Sequence, residues 1–206
     1  MAIQTAVNRA LTAITALPTA AALTDGNLTL LTTVTASSSA TLTFSSSINS
    51  TYNSYVFKFI NIHPSEASRP QFNVSIDSGS NYNVAKTTTF FASYHAESGG
   101  STGGLGYSTG GDLAQGTGVQ RLGGDTDADN DTAMSGTLTL FNPSSTTFVK
   151  HFIATTQQVS TAYSQELFTA GYANTTSAVD AIQFSQDSGT IQTGTIKMYG
   201  VGPKQS

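Results

Sequence analysis

The stretch SYVFKFINIH, Ser54 to His63, decides the fold. Alternation puts Tyr55, Phe57, Phe59 and Asn61 on one side and Val56, Lys58, Ile60 and Ile62 on the other. Aromatic and β-branched residues dominate, and neither Gly nor Pro interrupts the run, so it reads as a strand. Both faces are largely apolar, which places that strand in the interior of a sheet. The same rhythm recurs on either side. ATLTF, Ala40 to Phe44, sets Leu42 and Phe44 against threonines. QFNVSI, Gln71 to Ile76, sets Phe72, Val74 and Ile76 against Gln71, Asn73 and Ser75. Between it and TTTFFASYH, Thr87 to His95, the turn DSGSNY offers Gly79 for a positive φ. Five further runs follow: SGTLTLFN (135–142), TFVKHFIATT (147–156), ELFTAGYAN (166–174), AVDAIQFS (178–185) and GTIQTGTIKMYG (189–200). About nine short strands separated by Ser, Gly, Asn or Pro predict an all-β fold, an antiparallel β-sandwich of jelly-roll type.

The two ends of this pattern differ from its middle. Ile3, Val7, Ala10, Ile14 and Leu17 are spaced four, three, four and three, an apolar seam that suits a short helix docked on a partner copy or on its own domain. Pro18 ends it. Residues 1–39 therefore read as an N-terminal anchor and linker, helical or extended, with a strand-like portion after Asp25-Gly26, and residues 40–206 as the β domain. From about residue 96 to 132 the alternation lapses into Gly, Ser, Thr and Asp, a loop long enough to be functional. Its glycines suit an extended arm, or a loop laid against a neighbouring subunit where backbones approach closely.

Composition narrows the function classes. The chain of 206 residues suits one main domain and has no cysteine, so neither a disulfide framework nor a thiol nucleophile is available. Eleven Phe and eight Tyr argue against disorder. A net charge of −4 and eight scattered Lys and Arg do not make the basic face of a nucleic-acid binder. No apolar run approaches the ~20 residues of a membrane helix. The opening MAIQTAVNRALTAITALPTAAAL lacks a basic region before its apolar part, and so does not read as a signal peptide.

Motifs for chemistry are few. GGDTDADNDT, Gly123 to Thr132, makes Asp125, Asp127, Asp129 and Asp131 calcium candidates. An EF-hand counted from Asp125 fails, because Asn130 stands where glycine is required and Gly136 where glutamate is. An oxygen-lined site of other geometry and a solvated turn both fit, with the solvated turn leading. The glycines of SGGSTGGLGYSTGG, Ser98 to Gly111, lack the lysine and following helix of a phosphate loop. No two of His63, His95 and His151 stand at a short metal-ligand spacing, and Glu66, Glu97 and Glu166 mark no catalytic pair. Tyr94, Tyr107, Tyr163 and Tyr172 fall in or near expected loops, where rings stack on sugars or bury with a wet hydroxyl.

Several blocks carry a resemblance. FNPSSTTFVKHF (141–152), AGYANTTSAVDAIQF (170–184) and SGTIQTGTIKMYG (188–200) resemble a family of small virion-associated structural proteins of tailed, mostly marine, phages. STYNSYVFKFINIHP (50–64), FNVSIDSGSNY (72–82) and LGYSTGGDLAQGTG (105–118) are similar to the same family. The resemblance covers about residues 37–201 and implies a non-enzymatic protein made in the host cytoplasm and displayed on the particle exterior. It implies no catalytic residue and no resident cofactor. The expected role is capsid decoration or a head fibre, attached through the N-terminal segment to other virion proteins and assembled as a homotrimer. The alternative is a tail-fibre or tail-tip module recognising host surface glycans. Behind both stands a carbohydrate-active enzyme on the same scaffold.

Overall fold

The computed structural model describes residues 28–99, 102–160 and 162–202. Among them are twelve strands and no helix. The first six are β1 (Leu28–Thr35), β2 (Thr41–Phe44), β3 (Ser54–Pro64), β4 (Pro70–Ser75), β5 (Lys86–Ala96) and β6 (Gly103–Tyr107). The others are β7 (Gln120–Arg121), β8 (Met134–Phe141), β9 (Lys150–Ser160), β10 (Tyr163–Ala173), β11 (Ala181–Gln186) and β12 (Ile191–Val201). They form an eight-stranded sheet, β1-β12-β3-β8-β9-β10-β5-β6, and a four-stranded sheet, β2-β11-β4-β7. Every pairing is antiparallel. The all-β, antiparallel expectation therefore holds. The segment Ile3 to Leu17, with its apolar seam, lies outside the described residues.

β3 has β12 and β8 as neighbours, as its two apolar faces require. Its inner face sends Phe57 and Phe59 against Phe184 of the smaller sheet, at ring separations of 5.5 and 5.2 Å. Phe44 meets Phe57 at 5.4 Å and Phe72 meets Phe152 at 5.1 Å, both edge to face. The two sheets thus share one aromatic core. Strict alternation fails at two places. Asn61 does not follow Phe59 inward, because the register against β8 shifts between Phe59 and Ile62; Ile62 takes the buried place and Asn61 the exposed one. Ile76 is 41% exposed because β4 ends one residue earlier.

The Gly- and Asp-rich segment is folded back on its own domain. It includes the edge strand β6 and the short β7, which hydrogen-bonds to β4. Between and after them it runs along the inner face of β5, β10 and β9. That face turns polar where the segment crosses it. Thr88 Oγ1 accepts from the Leu113 amide and donates to Gln120 Oε1, and Gln120 Nε2 donates to Gly111 O. Thr169 and Thr156 donate to the carbonyls of Arg121 and Leu122. Gln158 Oε1 accepts from the Gly124 amide, and its Nε2 donates to Asp125 O. A buried loop must have its backbone polar groups paired, and inward Thr and Gln side chains pair these. At Gly123 a Cβ would lie 2.5 Å from both Gln158 Oε1 and Pro70 Cγ, so only glycine lets the chain pass there.

Two lysines stand on the same inner face, in register on either side of Ala173. Both are fully buried. Lys86 Nζ donates to Asn73 Oδ1 and Val84 O, and Lys150 Nζ to Phe148 O and Thr175 O. Neither is paired with a carboxylate among the described residues. Burial pushes Lys86 down to about 8 and lowers Lys150 as well. The folded chain thus gives up its Lys86 proton at a pH where the unfolded chain, at 10.5, still holds it. Stability must then rise with pH through this window, and be least below it. Urea unfolding is expected to give roughly 1–2 kcal/mol more stability at about pH 9.5 than at about pH 8. Above about pH 10 the gain is opposed by Tyr55, whose hydroxyl burial holds above its ordinary value. A flat or falling profile over that interval would contradict the buried lysine; Lys86→Met should flatten it.

Candidate functional site

One end of the larger sheet departs from regular pairing on two adjacent strands, β12 and β3. β12 changes register against β3 twice, between Ile191 and Thr193 and between Thr193 and Thr195. β3 bulges at Ile60 and Asn61, and Asn61 adopts φ 49°, unusual for a strand residue. Gly194 has φ 122°, and a Cβ there would lie 2.5 Å from Asn61 O. Glycine is therefore required where the two bulges touch. The Asn61 amide, out of the ladder, donates to Ser135 Oγ at 3.0 Å. Bulges re-aim side chains and concentrate beside functional sites.

Here they open a polar depression of about 480 Å³, lined by Asn61, His63, Asn130, Asp131, Gln192 and Thr193 together with the 132–133 backbone region. His63 Nδ1 lies 2.6 Å from Thr132 O, so Nδ1 carries a proton and donates, and in the neutral ring Nε2 is then an acceptor. This bond ties the end of the aspartate segment to β3. Thr132 is buried, and its hydroxyl lies within hydrogen-bond reach of the carbonyls of Asp127 (2.8 Å) and Asp129 (2.9 Å). The depression offers amides, a hydroxyl, an imidazole acceptor and one carboxylate, a set that recognises polar ligands by hydrogen bonding.

The four aspartates do not converge. Asp125 Oδ1 is 2.6 Å from Arg69 Nη2, while Arg69 Nη1 reaches Asp187 Oδ2 at 3.1 Å. Asp127 Oδ1 accepts from the Asp129 amide at 3.3 Å, a local turn bond. Asp129 and Asp131 are exposed, and only Asp131 borders the depression. Among the described residues, no three His, Cys, Asp or Glu side chains come together as a metal site would need. The Arg69–Asp125 pair is largely solvated, so Asp125→Asn should cost no more than about 1 kcal/mol in urea unfolding. Asp187→Ala should cost more, because Asp187 Oδ1 also accepts from the Arg69 backbone amide at 2.7 Å. The reverse order would show that the ion pair, and not the backbone bond, holds this corner.

Of the histidines, only His63 enters the depression; His151 is exposed, its ring 6.2 Å from that of Tyr172. The four tyrosines expected in or near loops stand on strands: Tyr94 on β5, Tyr107 on β6, Tyr163 and Tyr172 on β10. The bulged end was overlooked by sequence reasoning, although Gly194 inside an alternating run is the kind of signal that marks a bulge. Comparison of the chain with protein-family models, with curated proteins and with solved structures returns no match.

Proposed function

We propose that the chain is a non-enzymatic structural protein of a phage virion, a capsid decoration or head-fibre protein held to the particle through its N-terminal segment and assembled as a homotrimer. The observation that carries this reading is the strand order. In a jelly roll of eight strands, the chain alternates between two four-stranded sheets in two Greek keys. β2, β11, β4 and β7, side by side in one sheet, match strands one, eight, three and six of such a chain. β3, β10, β5 and β6 match strands two, seven, four and five of the other, with the hairpin β8–β9 inserted between β3 and β10. β1 and β12 extend that sheet beyond β3.

This order supports a jelly-roll sandwich, an architecture shared by viral capsid and lectin domains. Fold analogy alone does not assign a role; the family resemblance over residues 37–201 selects the virion. β1 begins at Leu28 on the rim of the larger sheet, a suitable place for an anchor to join. Repetition over many sites would give such an anchor avidity from modest contacts.

The test is copy number per particle, by quantitative mass spectrometry of purified virions against the major capsid protein. On the order of hundreds of copies is expected for a protein that follows the shell's symmetry. Roughly ten or fewer would overturn shell decoration and place the chain on the tail.

A further inference from the structure

The outer face of β9, β10, β5 and β6 carries two adjacent rows of different chemistry. Register aligns Thr155, Phe168, Phe91 and Tyr107 in one row. It aligns Gln157, Glu166, Ser93 and Leu105 in the next. Phe91 and Phe168 stack at 4.8 Å with their planes 12° apart. Tyr107, 55% exposed, is steadied by its hydroxyl, which donates to Asp112 Oδ2 at 2.5 Å. Alongside lies a second depression, of about 490 Å³, lined by Ser93, Tyr94, His95, Gln157, Ser164 and Glu166.

The polar groups there are available. Gln157 Nε2 donates to Gln158 O and Ser164 Oγ, which leaves its Oε1 as an acceptor. Among the described residues the Glu166 carboxylate makes no hydrogen bond or ion pair, although it is exposed on a regular strand. Stacked rings beside a carboxylate and an amide match a pyranose: apolar C–H groups go against the aromatic row, and vicinal hydroxyls donate to Glu166 and Gln157. The volume falls within the 300–1,000 Å³ range of ligand sites and suits one or two sugar rings. A free carboxylate on a chain of net charge −4 disfavours acidic sugars.

We propose that this corner of the outer face is a carbohydrate site for neutral hexoses or N-acetylhexosamines, such as those of a bacterial surface. The site goes beyond a structural role in the virion, and its test on the isolated chain reads out separately from copy number. Saturation-transfer NMR on the full chain would use galactose, glucose, N-acetylglucosamine and their β-linked disaccharides, with glucuronic acid as the acidic comparison. At least one neutral probe is expected to bind with a Kd in the range of about 0.1–10 mM, saturation being strongest on its ring C–H protons. Glu166→Ala and Tyr107→Ala, both at exposed positions, should each weaken it at least about tenfold, the size of one good polar contact, while the unfolding midpoint stays unchanged. Asp131→Ala, in the other depression, should leave binding intact. The proposal is overturned if no neutral probe binds, if glucuronic acid binds as well, or if binding survives both substitutions.

Discussion

Phe184→Ala is expected to destabilise the chain by about 3–5 kcal/mol, the largest single effect of any side chain in the core. Phe184 sits at 3% exposure on β11, where the two sheets meet. Phe44 at 6.0 Å and Phe72 at 6.3 Å adjoin it within its own sheet; Phe57 at 5.5 Å and Phe59 at 5.2 Å adjoin it from the other. Truncation removes the transfer free energy of the ring and leaves a cavity. Those four neighbours are themselves on paired strands, so they cannot move in to fill it. The edge-to-face contacts add about 0.5–1.5 kcal/mol each beyond burial, and their loss falls in the same place. For a chain of this length the melting temperature should drop by roughly 10 °C or more. Phe184→Leu keeps most of the volume and should cost appreciably less. Phe148→Ala, at a residue 69% exposed, should stay within about 0.5 kcal/mol of the unaltered protein. If Phe184→Ala cost as little as Phe148→Ala, the two sheets would not share the core described.

What could be read from the sequence follows from how local each signal is. Alternation is local, and it identified β2 to β5 and β8 to β12 without reference to any partner. Where a strand offers few side chains the signal vanishes. β6 reads GGLGY, and only Leu105 and Tyr107 mark its faces. β7 is two residues long and exists because β4 lies beside it. β1 was expected as a linker with a strand-like portion; its threonines and leucines become an edge strand through pairing with β12. The outer sugar-sized depression was out of reach for a different reason. Glu166 and Gln157 are neighbours only through the β9–β10 register, which no spacing along the chain reveals. Tyr94 and Tyr107 were singled out as aromatic, yet their use depends on Phe91 and Phe168, which stand on different strands and meet only through the β5–β10 register.

The Gly- and Asp-rich segment shows the same limit, and supplies the second large prediction. Phe152, Ala154, Thr156 and Gln158 alternate inward along β9, so a hydrophobic face passes without a break into a polar one. Read alone, Thr156 and Gln158 look like residues that reach solvent. In the structure they meet buried backbone. Gln158→Leu keeps the volume and removes both functions of the amide. It leaves the Gly124 amide, the Asp125 carbonyl and Gln165 Oε1 without the partner they have at 3.1, 3.3 and 3.2 Å.

These groups are partly buried; each one left without its partner costs up to about 1–3 kcal/mol, and those that reach water recover part of it, so a total of about 2–4 kcal/mol is expected. The loss should be local before it is global, because the aromatic core between β3 and β11 does not depend on this segment. Arg121 offers trypsin a single site within residues 87–149, and its carbonyl is held by Thr169 and Gln120. Cleavage after Arg121 should therefore be slow in the unaltered protein and much faster in Gln158→Leu, under conditions where β3 and β12 stay protected from hydrogen exchange. Gln157→Leu, one residue away on the outer face, should leave Arg121 protected. Equal cleavage in all three proteins would mean that the segment is not held down by the inner face at all. Cleavage after Arg121 only in step with loss of β3 protection would mean that the segment and the aromatic core open as one unit.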